Sequence, residues 1–450
     1  MKPIKKKKIV ILGAGITGLA LAYYLSKDNE VLVLEKENFE GGIAFSFKYK
    51  DFVLDFGPHK LYSELPNIIA EMGKISSLLK IKKKNSIFLK NNYYDFPLSI
   101  KQIALKMPST AIQAMTDILT KSFYKKPDDS YENYLLNRFG KTLYNLSFRD
   151  YAEKVWKSDP KNLDVELAKR RVAISGILEL VKSVLLKQTK NISAEYFYYP
   201  EKGMLEFFSS LTKKIKANKG KIITNARIEK IEIKNNKVSF INLRKRKIKP
   251  DILISTIPLD SLANILFPKN LFLVNAENLN YQSLNIIYFI LNKEKALNDC
   301  WIFFPEKSLL FQRVSEQKAF SNFCCPKNKT AIMVETTQKL IPENIKIIIN
   351  QLECIGILKK EEIIEYFFKS LPKCYPLYKK GFLSCLNPLI SYLDKLDNLY
   401  TIGRQGLFNY NNMDHCWDMA MKLSSHIEQN QSKEEWIKTR KEFDSYKIVD

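Results

Sequence analysis

Three glycines near the start of the chain have the spacing of a turn that binds phosphate groups. Gly13, Gly15 and Gly18 follow the apolar run Ile9–Leu12 and lead into a helical pattern that reaches about Ser26. Gly13 permits a sharp turn, Gly15 leaves room for a pyrophosphate, and Gly18 lets the helix pack closely on the strand. The free N–H groups at the start of that helix favour a negatively charged ligand.

A second apolar run ends in an acidic residue where a dinucleotide site needs one. The run Val31–Leu34 has the length of a buried parallel strand, and Glu35 follows it directly. With the glycine turn, this run predicts a strand, turn, helix and second parallel strand whose acidic end accepts hydrogen bonds from a ribose. The alternative is a structural unit of the same topology without a ligand. The combination of both strands, the helix and Glu35 favours the dinucleotide site.

Composition and charge are those of a globular protein with a basic surface. The chain has 450 residues, of which 46% are hydrophobic, and 72 Lys and Arg against 48 Asp and Glu give a net charge of +24. Such a charge raises the question of an anionic partner. The lysines are spread along the whole chain, however, and no zinc-finger, helix-turn-helix or RNA-binding motif accompanies them. We therefore expect a solvated basic surface and no nucleic-acid partner.

Cysteine content and hydropathy indicate a cytoplasmic protein with reduced thiols. The 7 cysteines are odd in number, they form no Cys-x-x-Cys pair, and no signal peptide precedes the first strand. No apolar run reaches the roughly 18 residues that a membrane-spanning helix requires. We expect no metal site and no transmembrane segment, while peripheral contact with a membrane and the oligomeric state stay open.

A second glycine pair introduces a resemblance to a known family. Gly41 and Gly42 follow the acidic strand end, and a strand over Phe52–Phe56 leads into a turn that contains Gly57 and His59. This order resembles that of FAD-dependent flavoproteins similar to the amine oxidases, the protoporphyrinogen oxidases and the UDP-galactopyranose mutases. In that group the glycine pair lines the FAD and the glycine–histidine turn reaches the flavin ring. The resemblance therefore gives the glycine pair a cofactor-binding role and His59 a catalytic one.

A mainly helical segment follows, over residues 81–190, after a short hairpin at Ser86–Pro97. Apolar residues between Leu167 and Leu185 recur at helical spacing, and no metal-binding spacing interrupts them. This pattern predicts an inserted helical domain.

Within that insertion, Tyr151 and Trp156 belong to the run YAEKVW, which is followed by an Asp-Pro pair, a Leu and Arg170. The ordered set resembles the mutase pattern Y-T-E-K-x-W, D-P-x-E-L and Arg. The resemblance implies that Tyr151 and Trp156 contact the substrate, with the Trp near uridine and sugar, and that Arg170 clamps the diphosphate. The alternative is that Trp156 is a core aromatic and Arg170 a surface charge on a helix.

The chain then returns to the cofactor domain. A turn at Gly203 precedes a helical pattern, and Asn235-Asn236 suits a hairpin between two strands. In similar flavoproteins the segment that resembles Ala226–Ile228 meets the adenine by backbone contacts, which makes Ile228 a cofactor-binding residue. The strand that resembles Ile254–Pro258 closes the dinucleotide fold.

The last signature lies between Leu399 and Met421. A short strand ends in a Gly-Arg pair, and a loop containing Tyr410 leads to a helix whose first N–H groups can stabilise negative charge on a flavin. The segment resembles the mutase motif G-R-x-x-x-Y-x-Y-x-D-M-D, in which the Arg also meets substrate and the Tyr binds phosphate. The cofactor-binding residues that it implies are Gly403, Arg404, Asn412, Met413 and Asp414.

Two more segments resemble the mutase residues that hold the pyrophosphate. Arg313 lies in a segment similar to T-R-I-x-E-x-K, and Tyr375 lies in one similar to Y-Y-P. Arg offers a charged planar fork and Tyr a neutral O–H donor, so two of each neutralise and orient a diphosphate without excess positive charge. The clamp and catalytic set that the resemblance implies therefore contains Arg170, Arg313, Tyr375 and Tyr410 beside His59.

The fold that we expect is α/β, with a Rossmann-like FAD-binding domain of the p-hydroxybenzoate-hydroxylase-like class and an inserted helical and β-sheet substrate domain. The FAD-binding domain is expected to be discontinuous, over residues 1–80, 195–260 and 385–430. Residues 81–194 form the helical insertion, residues 261–384 the substrate-domain sheet, and residues 431–450 a basic polar tail without catalytic residues.

The resemblance implies an FAD-dependent enzyme most similar to UDP-galactopyranose mutase, which acts on a nucleotide sugar or glycosyl diphosphate in surface-polysaccharide biosynthesis. Reduced FAD then acts as a nucleophile through N5 on the sugar C1 as the diphosphate leaves, with no net redox. The alternative is an amine oxidase or protoporphyrinogen oxidase type of oxidoreductase, which transfers hydride from an apolar or amine substrate to FAD. A third possibility is a non-catalytic basic binding protein that uses FAD structurally.

Overall fold

The computed structural model describes residues 6–98, 100–120, 125–171, 195–244 and 246–448. The strands are β1 Lys8–Leu12, β2 Glu30–Leu34, β3 Ser46–Tyr49, β4 Phe52–Asp55, β5 Leu78–Lys82, β6 Asn85–Leu89, β7 Asn92–Asp95, β8 Tyr196–Pro200, β9 Lys221–Ile223, β10 Ile228–Lys234, β11 Lys237–Leu243, β12 Arg246–Ile248, β13 Ile252–Ser255, β14 Leu266–Phe267, β15 Tyr281–Leu291, β16 Trp301–Phe303, β17 Arg313–Glu316, β18 Thr330–Thr336, β19 Ile363–Pro376 and β20 Leu399–Thr401.

The α-helices connect and cover these strands. They are α1 Ile16–Leu25, α2 Ile68–Gly73, α3 Ile100–Lys106, α4 Pro108–Thr120, α5 Tyr131–Tyr144, α6 Asp150–Trp156, α7 Val165–Arg171, α8 Met204–Ala217, α9 Leu259–Ile265, α10 Leu271–Asn275, α11 Pro342–Cys354, α12 Phe382–Asp394, α13 Gly403–Gly406, α14 Met413–Glu428 and α15 Lys433–Lys441.

A parallel five-stranded sheet forms the dinucleotide-binding core, in the order β20-β13-β1-β2-β9. In the central strand β1 the residues Ile9 to Leu12 are fully buried. This matches their unbroken apolar run, because a parallel strand is covered on both faces. On this sheet α1 packs against α14 and α8, which come from distant parts of the chain. The predicted α/β fold with a Rossmann-like domain is therefore confirmed.

A second sheet has seven strands, in the order β19-β15-β18-β17-β16-β6-β7. The hairpin β6–β7, expected at the start of the helical insertion, joins this sheet because β6 pairs in parallel with β16. All five residues of β6 are buried, as its place inside a sheet requires. The hairpin therefore forms the edge of the seven-stranded sheet and does not belong to the helical insertion.

The helical insertion is described between α3 and α7. Within the described residues, five α-helices lie between β7 and β8 in sequence. The apolar spacing that predicted a further helix from Val172 lies outside the described residues, apart from Leu167, which is fully buried in α7.

The hairpin predicted at Asn235-Asn236 is present between β10 and β11. Both asparagines have positive φ, of 51° and 54°, as a tight two-residue hairpin turn requires.

The segment after Ile427 differs from the expected polar tail. Helix α15 is followed by a short turn over Glu442–Ser445, and together they bury Trp436 and Phe443 completely. The Trp436 ring meets His426 of α14 at 5.5 Å and Phe443 at 5.8 Å between centroids. Most charged residues of the segment are exposed, whereas Arg440 is nearly buried and pairs with Asp394. The average polarity of the segment therefore concealed a small apolar face.

Three features bear on compartment and ligands. None of the helices in the described ranges is long and apolar enough to cross a membrane. Each of the seven cysteines is a free thiol. Within the described parts of the chain, no cluster of three or more His, Cys, Asp or Glu residues could hold a metal ion.

Candidate functional site

The glycine turn between β1 and α1 leaves a space next to Gly15. A Cβ atom on Gly18 would lie 2.0 Å from the Gly13 carbonyl oxygen, so Gly18 is required for the close approach of helix and strand. Gly13 itself has a φ of +96° and donates its N–H to the Leu34 carbonyl at 2.8 Å. A Cβ on Gly15, in contrast, would meet no protein atom within 4 Å, and its φ is −73°. Neither backbone nor packing therefore explains Gly15, whereas a bound pyrophosphate would.

Glu35 secures this turn at the end of β2. Its two carboxylate oxygens accept the backbone N–H groups of Ala14 at 2.7 Å and Glu37 at 2.9 Å. Each oxygen keeps a further lone pair, so the carboxylate can also accept a ribose hydroxyl. The Ala226 N–H donates to the Glu35 carbonyl at 2.7 Å, which brings the segment before Ile228 to the same end of the sheet. The residues expected to contact the ribose and the adenine are therefore close together.

The second glycine pair lies directly against the first turn. The N–H of Gly41 donates to the Ala14 carbonyl at 2.8 Å, and a Cβ on Gly42 would lie 3.1 Å from the Gly15 Cα. Both residues have positive φ, of 112° and 58°. The two glycine segments therefore form one backbone-lined cradle.

A third segment reaches the cradle from the C-terminal side. Helix α14 begins after Asn412, and Met413 and Asp414 are its first residues, as the motif predicted. Gly403 approaches α1 so closely that a Cβ atom there would lie 2.6 Å from the Thr17 hydroxyl oxygen. A cavity of about 270 Å³ adjoins the start of α14, and its wall includes Tyr62, Asn412 and Asp414. Three distant segments thus converge, and their glycines and helix starts fit a dinucleotide with a flavin.

Next to this cradle, aromatic rings and guanidinium groups form a compact cluster. The rings of Tyr375 and Tyr410 stack with centroids 5.6 Å apart and planes at 11°. Trp156 meets them edge-on at 5.9 and 6.0 Å, and the Arg404 guanidinium carbon lies 4.8 and 4.7 Å from the same two rings. Burial raises the pKa of both tyrosines, so their hydroxyls stay protonated donors at neutral pH.

Arg404 carries two hydrogen-bond donors without a partner among the described residues. Its Nη1 donates to the Asn411 carbonyl at 2.9 Å, whereas Nε and Nη2 are buried and unbonded. An unsatisfied buried donor is costly, more so on a charged group. The guanidinium beside the two tyrosine rings is therefore prepared for an anionic acceptor.

The two arginines at the end of α7 face different surroundings. Arg170, the expected clamp residue, donates to the Asn409 side chain and pairs with Asp444 at 3.1 Å. Arg171 lies instead with its guanidinium carbon 5.5 Å from the Trp156 ring and 5.4 Å from the Tyr410 ring. The cluster thus gathers Trp156, Tyr375, Tyr410 and Arg404, but its α7 arginine is Arg171.

Arg313 enters the cluster from β17 in a buried ion pair. Its Nε and Nη2 donate to one carboxylate oxygen of Glu335, at 3.0 and 2.6 Å, and Nη1 takes no part in this pair. A Cβ on Gly57 would lie 2.9 Å from that same oxygen, so the turn with His59 packs over the ion pair. Burial, and then the charge of Arg313, lowers the pKa of His59 to about 3, so His59 is neutral.

Tyr151, the remaining expected substrate residue, is half-buried on α6. Its ring meets Phe303 at 6.4 Å with planes at 82°. It therefore flanks the cluster without entering the Tyr375–Tyr410 stack.

A buried carboxyl that the sequence reasoning missed lies beneath His59. The Asp55 side chain is fully buried and accepts Ser46 Oγ at 2.5 Å and the Tyr199 hydroxyl at 2.8 Å. Burial raises the pKa of Asp55 to about 7, and its Oδ2 lies 3.9 Å from His59 Nδ1. An acidic residue at the end of an otherwise apolar strand was the signal that could have found it.

Two family patterns match the chain. Residues 11–72 match an NAD(P)-binding Rossmann-like domain, and residues 146–353, just under half of the chain, match UDP-galactopyranose mutase. The dTDP-fucopyranose mutase of Escherichia coli is 22% identical over 36% of this chain and 45% of its own length. The chain spans about half or less of the length of the first curated relatives that it matches.

Solved structures share the fold over nearly the whole chain. A reduced UDP-galactopyranose mutase superposes with a TM-score of 0.80 at 20% identity, covering 94% of both chains. A putative protoporphyrinogen oxidase from Exiguobacterium sp. 255-15 has a TM-score of 0.72 at 15% identity, covering 95% of this chain and 100% of its own. The chain therefore shares the fold of these flavoenzyme structures, and its residues 146–353 match the UDP-galactopyranose mutase pattern.

Proposed function

We propose that this protein is an FAD-dependent enzyme that acts on a nucleotide sugar or a similar glycosyl diphosphate without net redox, in surface-polysaccharide biosynthesis. The observation that carries the proposal is Arg404, which has two unbonded buried donors and a guanidinium carbon 4.8 and 4.7 Å from the rings of Tyr375 and Tyr410. A diphosphate would satisfy these donors, whereas an apolar or amine substrate would leave them unpaired.

The pyrophosphate, the adenosine and the flavin of FAD would each meet a different segment of the cradle. Gly13, Gly15 and Gly18, with the start of α1, would hold the pyrophosphate, and Glu35 would accept a ribose hydroxyl. The backbone before Ile228 would meet the adenine. The flavin end would be met by Gly41, Gly42, Gly403, Arg404, Asn412, Met413 and Asp414. When bound and reduced, FAD supplies an electron-rich ring next to the arginine cluster.

The chain's own groups would bind and orient the substrate. Arg404 and Arg171 bring two guanidinium carbons within 4.7 and 5.4 Å of the Tyr410 ring, and the tyrosine hydroxyls can donate to phosphate oxygens. Arg313, held by Glu335, would add its Nη1 group from the sheet side. Trp156 offers an apolar edge against which a nucleoside base or sugar could pack. This arrangement would stabilise a diphosphate as it leaves the sugar.

His59 would act as a neutral neighbour of the flavin rather than as an acid. Its depressed pKa keeps the ring uncharged throughout the physiological range, so it can donate one hydrogen bond and accept another. Close to the guanidinium of Arg313, a charged imidazole would be repelled.

The test is turnover without an electron acceptor. Protein reduced by dithionite under anaerobic conditions is incubated with UDP-galactopyranose and other nucleotide sugars, and the products are separated by chromatography. We expect many turnovers per enzyme with no acceptor present, and no turnover by the oxidised protein. The matched variant Arg404→Met removes the donors but keeps a side chain of similar length. It is expected to lose turnover even when it is loaded with FAD to the wild-type level.

The competing outcome would support an oxidase. Activity that needs oxygen or a quinone, begins only from oxidised FAD and proceeds with amines or porphyrinogens would contradict the proposal. Oxygen consumption measured with those substrates on the same preparation separates the two functions.

A further inference from the structure

The ammonium group of Lys154 lies in a cage of four backbone carbonyls. Its Nζ lies within hydrogen-bond distance of the carbonyl oxygens of Phe304 at 2.5 Å, Glu306 at 2.7 Å, Leu309 at 3.2 Å and Phe311 at 2.8 Å, so its three N–H donors are shared among four acceptors. All four belong to the loop that joins β16 to β17. One side chain therefore contacts residues along almost the whole loop. Its ammonium is surrounded by carbonyl oxygens, as a bound metal cation would be.

Both ends of this contact lead to the candidate substrate site. Lys154 lies on α6 between Tyr151 and Trp156, and the caged loop runs directly into Arg313 at the start of β17. The Lys154 carbonyl in turn accepts the Thr337 hydroxyl at 2.7 Å, just beyond the end of β18. Lys154 thus connects α6 of the helical insertion to the seven-stranded sheet next to the candidate substrate site.

The charge of Lys154 is not explained by an ion pair. Among the described residues no carboxylate lies within ion-pair distance of its Nζ, and Asp150 and Glu306 act on it only from farther away. Burial lowers the pKa of Lys154 to about 7, so holding the ammonium here costs free energy. An apolar side chain of similar length would fill the same space without that cost, but it could not hold the four carbonyls.

We propose that Lys154 is a positioning residue for the diphosphate: its caged ammonium fixes the loop Phe304–Gln312 and thereby holds Arg313 opposite Trp156. This inference rests on the proposed diphosphate site and adds a residue that does not itself touch the ligand. The competing view is that Lys154 only stabilises the fold, in which case its loss affects all functions of the protein equally.

The first experiment compares Lys154→Met with the matched control Lys161→Met. Lys161 is exposed and its side chain lies outside the cage, so the control removes a nearby positive charge only. Calorimetric titration with UDP is expected to give an affinity at least about tenfold weaker for Lys154→Met. FAD content should equal that of the wild type, and the control should match the wild type in both measurements.

The second measurement follows the loop without any ligand. Lys307 lies within the caged loop and its ammonium pairs with Glu153 of α6, so trypsin should cleave there slowly in the wild type. In Lys154→Met we expect cleavage after Lys307 to become several times faster. Equal cleavage rates in both proteins would contradict the cage.

The third measurement is chemical rescue. Lys154→Ala leaves the four carbonyls facing a space, which ammonium or methylammonium chloride can fill with N–H donors. We expect these salts to restore UDP affinity and slow cleavage after Lys307, whereas tetramethylammonium chloride at equal ionic strength should do neither. Rescue of this kind would not follow from a general loss of stability.

The outcomes separate this inference from the function on which it rests. A wild-type protein that binds neither UDP nor pyrophosphate would overturn the proposed function. A wild type that binds UDP, together with a Lys154→Met variant of the same affinity, would overturn the role of Lys154 alone.

Discussion

Arg170 and Arg171 are consecutive residues at the end of α7, yet their guanidinium groups contact different sets of residues. Arg170 meets Asn409 and Asp444, and Ile448 donates its N–H to the Arg170 carbonyl at 3.1 Å. Arg171 lies over the rings of Trp156 and Tyr410. One step along an α-helix turns a side chain by roughly 100°, so neighbours routinely serve different surroundings.

The first prediction follows from this division. Arg171→Ala should weaken UDP binding by about 1.5 to 3 kcal/mol, roughly 10- to 150-fold, which is the range for a charge-assisted hydrogen bond. FAD content should not change. Calorimetric titration of the FAD-loaded protein with UDP measures the effect.

Arg170→Ala and Lys169→Ala serve as the comparisons. Arg170→Ala should reduce the thermal stability more than UDP affinity, because it loosens the contacts with Asn409 and Asp444. Lys169→Ala removes an exposed charge paired with Glu166 and should match the wild type. If Arg170→Ala lost UDP affinity and Arg171→Ala kept it, the original assignment to Arg170 would stand.

The second prediction concerns Gly15. A valine at this position should abolish FAD binding while leaving the apoprotein folded, because its side chain would enter a space that no protein atom occupies within 4 Å. Absorbance of the purified protein near the flavin bands and far-ultraviolet circular dichroism measure the two effects.

Gly73→Val provides the control for a glycine replaced in the same fold. A Cβ at Gly73 meets only a Leu78 methyl group at 3.9 Å, and it lies far in sequence from the cradle. If Gly15→Val bound FAD at the wild-type level, the assignment of a pyrophosphate site to this turn would be wrong.

The third prediction concerns pH and Asp55. Its pKa rises from 3.8 to about 7 in the folded protein, mainly because the carboxyl is buried. A raised folded pKa means that the stabilising effect of protonation is complete below about pH 4 and is lost as pH rises through about 7. The free energy of unfolding of the wild type should therefore fall, relative to Asp55→Asn, by a few kcal/mol between pH 4 and pH 7.5.

Urea unfolding of both proteins at several pH values gives this difference directly. His59 acts in the opposite direction, because its pKa is lowered to about 3, so its contribution rises between about pH 3 and pH 6.5. It is present in both proteins and cancels to first order. A difference between wild type and Asp55→Asn that stays constant with pH would show that Asp55 is ionised in the folded state.

The fourth prediction tests the C-terminal segment. Trp436 is fully buried between α14 and the turn at Phe443, so Trp436→Ala should lower the free energy of unfolding by about 3 to 5 kcal/mol. Lys438→Ala, on the exposed face of the same helix, should change it by less than about 0.5 kcal/mol. Chemical denaturation measures both, and a small effect of Trp436→Ala would mean that the segment is not docked.

The local features of the fold could be predicted from the sequence because each rests on neighbouring residues. The turn at Gly13, the strand end at Glu35, the hairpin at Asn235 and the helix start after Asn412 all follow from backbone chemistry within a few positions. The same holds for the fold class, since the parallel core strands are unbroken apolar runs.

The remaining features depend on long-range contacts that sequence patterns do not encode. Motif spacing marked an arginine at the end of α7, but packing determined that Arg171 rather than Arg170 faces the rings. The cage of Lys154 is made of backbone carbonyls. Every residue has such a carbonyl, so the residue types of the loop do not reveal the cage. The buried face of Trp436 is surrounded by charged residues, so its average polarity masked it.

The order of strands in the parallel sheet has a consequence for how the protein is made. Strand β1 lies at the centre of this sheet, whereas its edge strand β20 lies at Leu399–Thr401, close to the other end of the chain. At about 5 to 20 residues per second, a ribosome needs roughly 20 to 80 seconds between these two strands. Strand β13 ends at Ser255, so it has no partner on one side for the last part of that time, roughly 7 to 30 seconds. An unpaired strand edge can pair wrongly. We expect nascent chains to rely on chaperones until β20 emerges, and cofactor capture to follow the emergence of β20 and α14.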